Sequence, residues 1–359
     1  MNFSQREKNF SLYLSVFFIV VLFIFSVKIY FHKIINDKSF NFNPNLSSEF
    51  NSGLLISFRN DLDKDTSTYR TLWITPDISN NLKIINEINF VVVPHKNSFW
   101  KIDPVRYNFT NTDDYIEYLV AHDFGDGYTP ETFQYKFSTY RSKLTFVDKN
   151  YVGVSTYIIS HDGNKYYRDN TCAVVDLENL TNYKSTENKV TMKDVFSEKS
   201  IPIINKYRNQ KINLGECSEK NAINTTSGEF WSIGRKDGRW LAQIAKTFKC
   251  ATYNNYILYN TELYLPQSVS SNNELYTSYK SIIKTFPDTE DVISSPNKDM
   301  IGIFTSDKLT IYPYSNGTFG NPALELELSK NETMIMAQWA NGKEIKEWTD
   351  AIKKYCSEN

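Results

Sequence analysis

The sequence predicts a mainly β protein: an N-terminal transmembrane helix, then an irregular β-propeller-like or two-sheet β domain with a few packing helices and a C-terminal helix. Three observations predict it. One long uncharged run lies near the start, "SLYLSVFFIVVLFIFSV" from Ser11 to Val27. Aromatic residues make up 15% of the chain, with 24 Tyr and 24 Phe, and these residue types suit pleated, half-buried surfaces. Beyond residue 53, short apolar runs alternate with turn residues, the pattern of sandwiches, barrels and propellers rather than of a parallel α/β sheet.

The elements follow in order. Residues 1–10 form a short cytoplasmic tail and 11–31 a signal anchor, because about 20 apolar residues match a hydrocarbon core of roughly 30 Å. A cleaved signal peptide would carry a shorter apolar region and a small-residue site, and neither is present. No Cys follows the run directly, the first being Cys172, so a lipoprotein is not expected. The flanking charges, Arg6, Glu7 and Lys8 before and Lys28, Lys33 and Lys38 after, do not themselves favour an inside N-terminus. Placement of the C-terminal part outside rests on the brevity of the tail. The predicted location is the cell membrane, crossed once, with the membrane itself engaged through the N-terminal helix.

Residues 32–52, which include "NDKSFNFNPNLSSEFN", are rich in Asn and Ser and predict a linker. The extracytoplasmic β-rich domain is then 53–359. Its strands are expected at "LLISF", "YRTLWI", "FVVVP", "SFWKI", "LTFV" and "YVGVSTYII". Further ones follow at "CAVVDL", "FWSI", "RWLAQI", "YILYNTELYL", "MIGIFT", "LTIYPY" and "LELEL". Strand-turn-strand rhythm in "SPNKDMIGIFTSDKLTIYPYSNGTFGNPALELEL", and a "KDG" hairpin in "FWSIGRKDGRWLAQIA", resemble propeller blades. Helices are predicted at "DDYIEYLVAHDF" and "ELYTSYKSIIKTF". A last helix begins near Asn341 as cap with Glu344 three residues on. Ile345, Trp348, Ile352 and Tyr355 form its apolar stripe. Trp339, Trp348 and Ile352 are therefore expected to form a seam that closes the β domain.

Composition narrows the function. Forty Lys plus Arg balance 41 Asp plus Glu, leaving no global field to gather nucleic acid. Four scattered histidines show no metal-ligand spacing. "AHDFGDGYTPE" offers Asp123, Asp126 and Glu131 as a weak cation loop, without the alternating acids of an EF-hand. There is no nucleophile elbow and no S-x-x-K set with its partner motifs; no cofactor is expected. Cys172, Cys217, Cys250 and Cys356 form no C-x-x-C motif; two disulfides are one option, Cys217 with Cys250 and Cys172 with Cys356, and four buried thiols the other. Trp100, Trp231 and Trp240, near Lys and Arg, are candidates to line a groove for a glycan or peptide, against the ordinary alternative of core filling.

"FWSIGRKDGRW" and "MIMAQWANGKEIKEWT", with "RTLWITP" and "VVVPHKNSFWKI", resemble an uncharacterised group of Gram-positive membrane-anchored proteins and lipoproteins that share R-x-x-G-x-W and MAQWA-x-G elements. The chain departs from the lipoprotein members in lacking the lipid-bearing Cys. The resemblance implies an extracytoplasmic β domain and no particular activity. "YVGVSTYIIS" followed by "VTMKDVF" is similar, over a shorter stretch, to the extracellular β domain of wall-stress sensors and deacetylase-associated proteins. The expected function is a tethered binding or sensory module of the envelope, taking wall glycan or an envelope protein and more a binder than an enzyme. The alternative is a wall-active hydrolase with a dispersed carboxylate pair.

Overall fold

The computed structural model describes residues 41–46, 49–62, 66–133, 139–162, 165–210, 217–219 and 228–357. The tail, the anchor expected at 11–31 and the start of the linker lie outside them. Among the described residues no helix is long and apolar enough to cross a membrane.

In chain order the strands are β1 (Asn41–Phe42), β2 (Ser52–Asp61), β3 (Ser67–Pro76), β4 (Leu82–Ile88), β5 (Val91–His95), β6 (Ser98–Asn108) and β7 (Tyr115–Asp123). Next come β8 (Thr139–Val147), β9 (Tyr151–Asp162), β10 (Lys165–Asp176), β11 (Ser218–Glu219), β12 (Trp231–Lys236), β13 (Arg239–Lys249) and β14 (Tyr253–Tyr264). The last are β15 (Asp291–Ser294), β16 (Met300–Phe304), β17 (Lys308–Ser315), β18 (Thr318–Phe319), β19 (Leu324–Glu327) and β20 (Glu332–Asn341). Helices are few: α1 (Met192–Phe196), α2 (Ser200–Asn209), α3 (Tyr279–Thr285) and α4 (Lys343–Ser357).

Three sheets form rather than two, and the described strands close into neither a barrel nor a propeller. The four-stranded sheet runs β20-β2-β3-β4, so the last strand of the chain pairs with its first long one. Both faces of this sheet are buried. Leu54, Ile56, Phe58, Leu72 and Ile74 face one core, shared with β12, β13, β16 and β17. Leu55, Trp73, Ile335 and Met336 face the other, shared with β5 to β10. That is why "GLLISF" reads as an unbroken apolar run rather than an alternating one.

The ten-stranded sheet consists of antiparallel meanders, β5-β6-β7, β8-β9-β10 and β12-β13-β14, with the short β11 paired to β13. Short parallel contacts join them, where Tyr115–Glu117 meet Thr139–Arg141 and Arg168–Asp169 meet Tyr253–Asn254. The third sheet is β15-β16-β17 with β19, β18 and β1 at its margin.

Three expectations are corrected here. "DDYIEYLVAHDF" is strand β7, not a helix: Ile116, Tyr118 and Val120 enter one cluster, while Leu119 and Ala121 enter another. Its apolar residues occupy both faces, and the helical spacing of Tyr115, Leu119 and Val120 is a by-product of that double burial. The expected linker joins the fold by Asn41, since β1 pairs with β18 and Phe50 is buried; its Asn and Ser serve as turn and hydrogen-bonding groups. The helix expected in "ELYTSYKSIIKTF" forms only over α3, where Ile282 is buried beside Leu275, Tyr279 and Phe286.

Candidate functional site

The stretch that links β20 to α4 builds the site. Gly342 at the junction has φ of 54°, a left-handed turn that glycine adopts without strain. The backbone N–H of Asn341 donates to the Glu344 carboxylate at 3.0 Å. The Asn341 side chain, expected to cap the helix, instead accepts from Asn297 at 3.1 Å, so only half of the predicted capping box forms. From there α4 lays its apolar stripe on the sheets. Ile352 is fully buried. The Trp348 ring packs against Trp73 at 5.7 Å and edge-on to Phe99 at 5.4 Å, and Tyr355 stacks on Phe124 at 4.3 Å.

Trp73 can lie flat under the helix because Gly53 has no side chain: a Cβ there would meet the indole at 2.3 Å. Its Nε1–H then donates to Thr349 at 2.9 Å. The seam expected from Trp339, Trp348 and Ile352 is thus a packed junction. Trp339 belongs to the core on one side of the sheet and Ile352 to the core on the other.

The same stretch also walls a cleft of about 790 Å³. Turns from separate meanders converge there: Lys96, Asn97 and Ser98 between β5 and β6, Lys149 between β8 and β9, Ser271 and Asn272, and Pro296. Gln338, Trp339, Asn341, Glu344, Glu347 and Trp348 complete it. Two of the turns are tied together, since the His95 ring nitrogens meet the Lys149 carbonyl at 2.5 Å and Glu178 at 2.9 Å. Lys96 also bonds Glu178 at 2.5 Å, and together Lys96 and His95 hold that carboxyl below its usual range.

Beneath the cleft floor lies Asp148. It accepts from Gln338 Nε2 at 2.8 Å and from the Lys149 backbone N–H at 2.7 Å. Burial raises its pKa to about 7, offset in part by the Gln338 hydrogen bond. With 1% of its surface exposed, it is a buried neighbour of the cleft and not part of its wall.

The tryptophan groove expected from sequence does not form. Trp231 is buried, donating to the Val190 carbonyl at 2.7 Å. Trp240 is buried against Phe146, at 4.9 Å between rings, with the Arg235 guanidinium 4.7 Å above it. Trp100 covers His95 at 4.6 Å. Trp231 and Trp240 are in the core, and Trp100 is partly buried against it. The cation loop is likewise corrected. Asp123 uses its carboxylate to accept from the Gly125 N–H at 3.1 Å, and Asp126 and Glu131 are exposed. Among the described residues no group of three His, Cys, Asp or Glu side chains could hold a metal.

Cys217 and Cys250 form a disulfide. Cys172 and Cys356 do not pair: Cys172 is buried in β10, its thiol pushed up to about 12 by burial, while Cys356 is exposed on α4.

Sequence reasoning missed Asp148, Lys96, Asn97 and Lys149. The signal available was that "VVVPHKNSFWKI" and "MAQWANG", two of the blocks carrying the resemblance, both supply cleft residues. No protein-family model and no curated protein matches this chain.

Proposed function

We propose that the chain is a membrane-tethered extracytoplasmic binding or sensory module of the envelope, and that its ligand docks in the cleft between α4 and the converging turns. The observation that carries this reading is the composition of the cleft. Amides, hydroxyls and charges of both signs surround the edges of Trp348 and Tyr355, a set suited to a polar, neutral or zwitterionic ligand such as a glycan with amide substituents. In this reading the span expected at 11–31 tethers the chain and the cleft faces the envelope. The pairing of β20 with β2 brings the end of the β region back to its start, and so sets α4 beside the turns that line the cleft.

The hydrolase reading has one observation in its favour: Glu344 and Glu347 share the cleft, three residues apart on α4. Carboxylates that cleave a glycosidic bond flank it from two sides, whereas these two project from one helix face, about 5–6 Å apart at Cβ. Binding is therefore the better reading. Incubating the full chain with a soluble wall glycan and analysing the sugars separates them. Binding with the glycan intact supports a module without chemistry; shortened chains, lost in Glu347→Gln, would replace it with a hydrolase; and no binding would reject the cleft as the ligand site.

A further inference from the structure

A second cleft, of about 570 Å³, opens at the far end of β8 and β9, away from Lys149. Strand alternation builds it. Three rows cross the sheet on one face: Lys143, Ser155 and Cys172; then Arg141, Tyr157 and Asn170; then Thr139, Ile159 and Arg168. The strand beyond adds Tyr256, whose hydroxyl lies 3.1 Å from Ser155 Oγ.

Charge on this face is one-sided. Arg141, Lys143 and Arg168 line the cleft, and no carboxylate does. The nearest acid, Asp61, serves both Arg59 at 3.1 Å and Lys143 at 3.2 Å. Glu117 is opposite Arg141 in the β7–β8 ladder and pairs with Arg106 at 3.6 Å. Four cations, Arg59, Arg141, Lys143 and Arg168, therefore gather here with two acids, Asp61 shared by Arg59 and Lys143 and Glu117 shared by Arg106 and Arg141. The strain of that crowding registers on Lys143, whose pKa is lowered first by burial and then by Arg59.

We propose that this face is a binding site for a phosphate-bearing anion, a phosphate monoester or phosphodiester, held by Arg141, Lys143 and Arg168 with the Tyr256 and Ser155 hydroxyls beside them. Planar guanidinium groups match the tetrahedral oxygens, and hydrogen bonds between ionised partners are the strong ones. The Tyr157 ring supports Arg141, whose guanidinium carbon lies 5.9 Å from the ring centre. On the same face, further out, Tyr166 is exposed beside His161 at 6.2 Å. An aromatic lip next to a cationic floor suits a phosphate attached to a sugar or polyol better than a bare ion.

The test is calorimetric titration of the full chain in a neutral detergent with inorganic phosphate and with a glycerol-phosphate oligomer, against chloride at matched ionic strength. Phosphate is expected to bind and chloride not. Arg168→Gln and Lys143→Gln should each weaken binding by about tenfold, the size of one lost charge-assisted hydrogen bond. Arg168 is exposed, so its variant keeps the wild-type melting temperature and cannot fail merely by unfolding. Tighter binding of the oligomer per phosphate would assign an extended ligand, and equal binding a single phosphate group; both support the site. The proposal is overturned if phosphate and chloride give the same heats, or if folded Arg168→Gln binds phosphate as the wild type does.

Discussion

The two ends of the β8–β9 pair are built from the same strands and finish differently. At the Lys149 end, β20 and α4 close over the turn, and a carboxyl is buried deeply enough to titrate near neutrality. At the Arg141 end the cleft is lined by β8, β9, β10 and β14 alone, with Arg141 buried, Arg168 exposed and no carboxylate in the lining. What separates the two is coverage: a covering helix turns polar side chains into a fixed, desolvated framework, whereas the end without one keeps an exposed cation, Arg168, at its rim. Stability should therefore respond to substitutions at the first end, and at Arg168 ligand binding alone.

The largest test of that contrast is removal of 343–359. Ile345, Trp348, Ile352 and Tyr355 all pack on the second core, so the loss should exceed about 5 kcal/mol, at roughly 1.5–3 kcal/mol for each well-buried side chain. Ile352→Ala alone should cost about 2–4 kcal/mol by urea denaturation, while Arg168→Gln, on the open end, should stay within about 0.5 kcal/mol. Equal losses at the two ends would break the comparison.

Next comes Asp148. Its folded-state pKa is raised to about 7 from 3.8, so the folded protein binds the extra proton between those values. Its contribution to stability is complete below the unfolded pKa and is lost as pH rises towards 7, by up to about 4 kcal/mol. In Asp148→Asn this part of the pH dependence should vanish, and the variant should gain on the wild type from pH 4 to pH 7. Parallel pH–stability curves for the two proteins would show that the carboxyl is solvated.

The disulfide is a slightly smaller effect. Cys217 and Cys250 are 33 residues apart, and opening a loop of that length costs about 3–4 kcal/mol in the chain-entropy account. The thiols give a sharper reading. Native, unreduced protein should alkylate at Cys356 only, denatured unreduced protein also at Cys172, and reduced, denatured protein at all four. Protection of Cys356 before reduction would instead join it to Cys172.

The smallest stability change is predicted at Glu347→Gln. It should move the melting point little, since surface substitutions stay within about 0.5 kcal/mol, yet weaken ligand binding at the cleft. If stability falls and binding does not, Glu347 belongs to the seam and not to the site.

The β class, the spacing of most strands, the "KDG" turn and the stripe of α4 were legible because each follows from local periodicity or turn chemistry. The β7 segment was not, since burial of both faces erases the alternation that marks a strand. The tryptophans misled for a related reason. Trp231 and Trp240 have cationic sequence neighbours, but those cations are committed inside the fold, Arg235 to Asp291 while lying over the Trp240 ring and Arg239 to the Asn273 carbonyl. The cleft was half legible: "MAQWANG" was singled out as a seam, and its second role depends on turns that are 40 or more residues away from it in sequence, a juxtaposition that only the fold supplies. Asp148 gave no signal, because its burial comes from Gln338 across 190 residues.

One measurement tests most directly whether the seam is also a site. The six tryptophans each give an indole N–H resonance, and a soluble N-acetylhexosamine oligomer can be titrated while all six are followed in the full chain. Shifts concentrated on Trp339 and Trp348, with Trp231 and Trp240 unmoved in the core, are the predicted result. Shifts at Trp231 and Trp240 with none at Trp348, or no shifts at any of the six, would contradict a ligand site at the junction of β20 and α4.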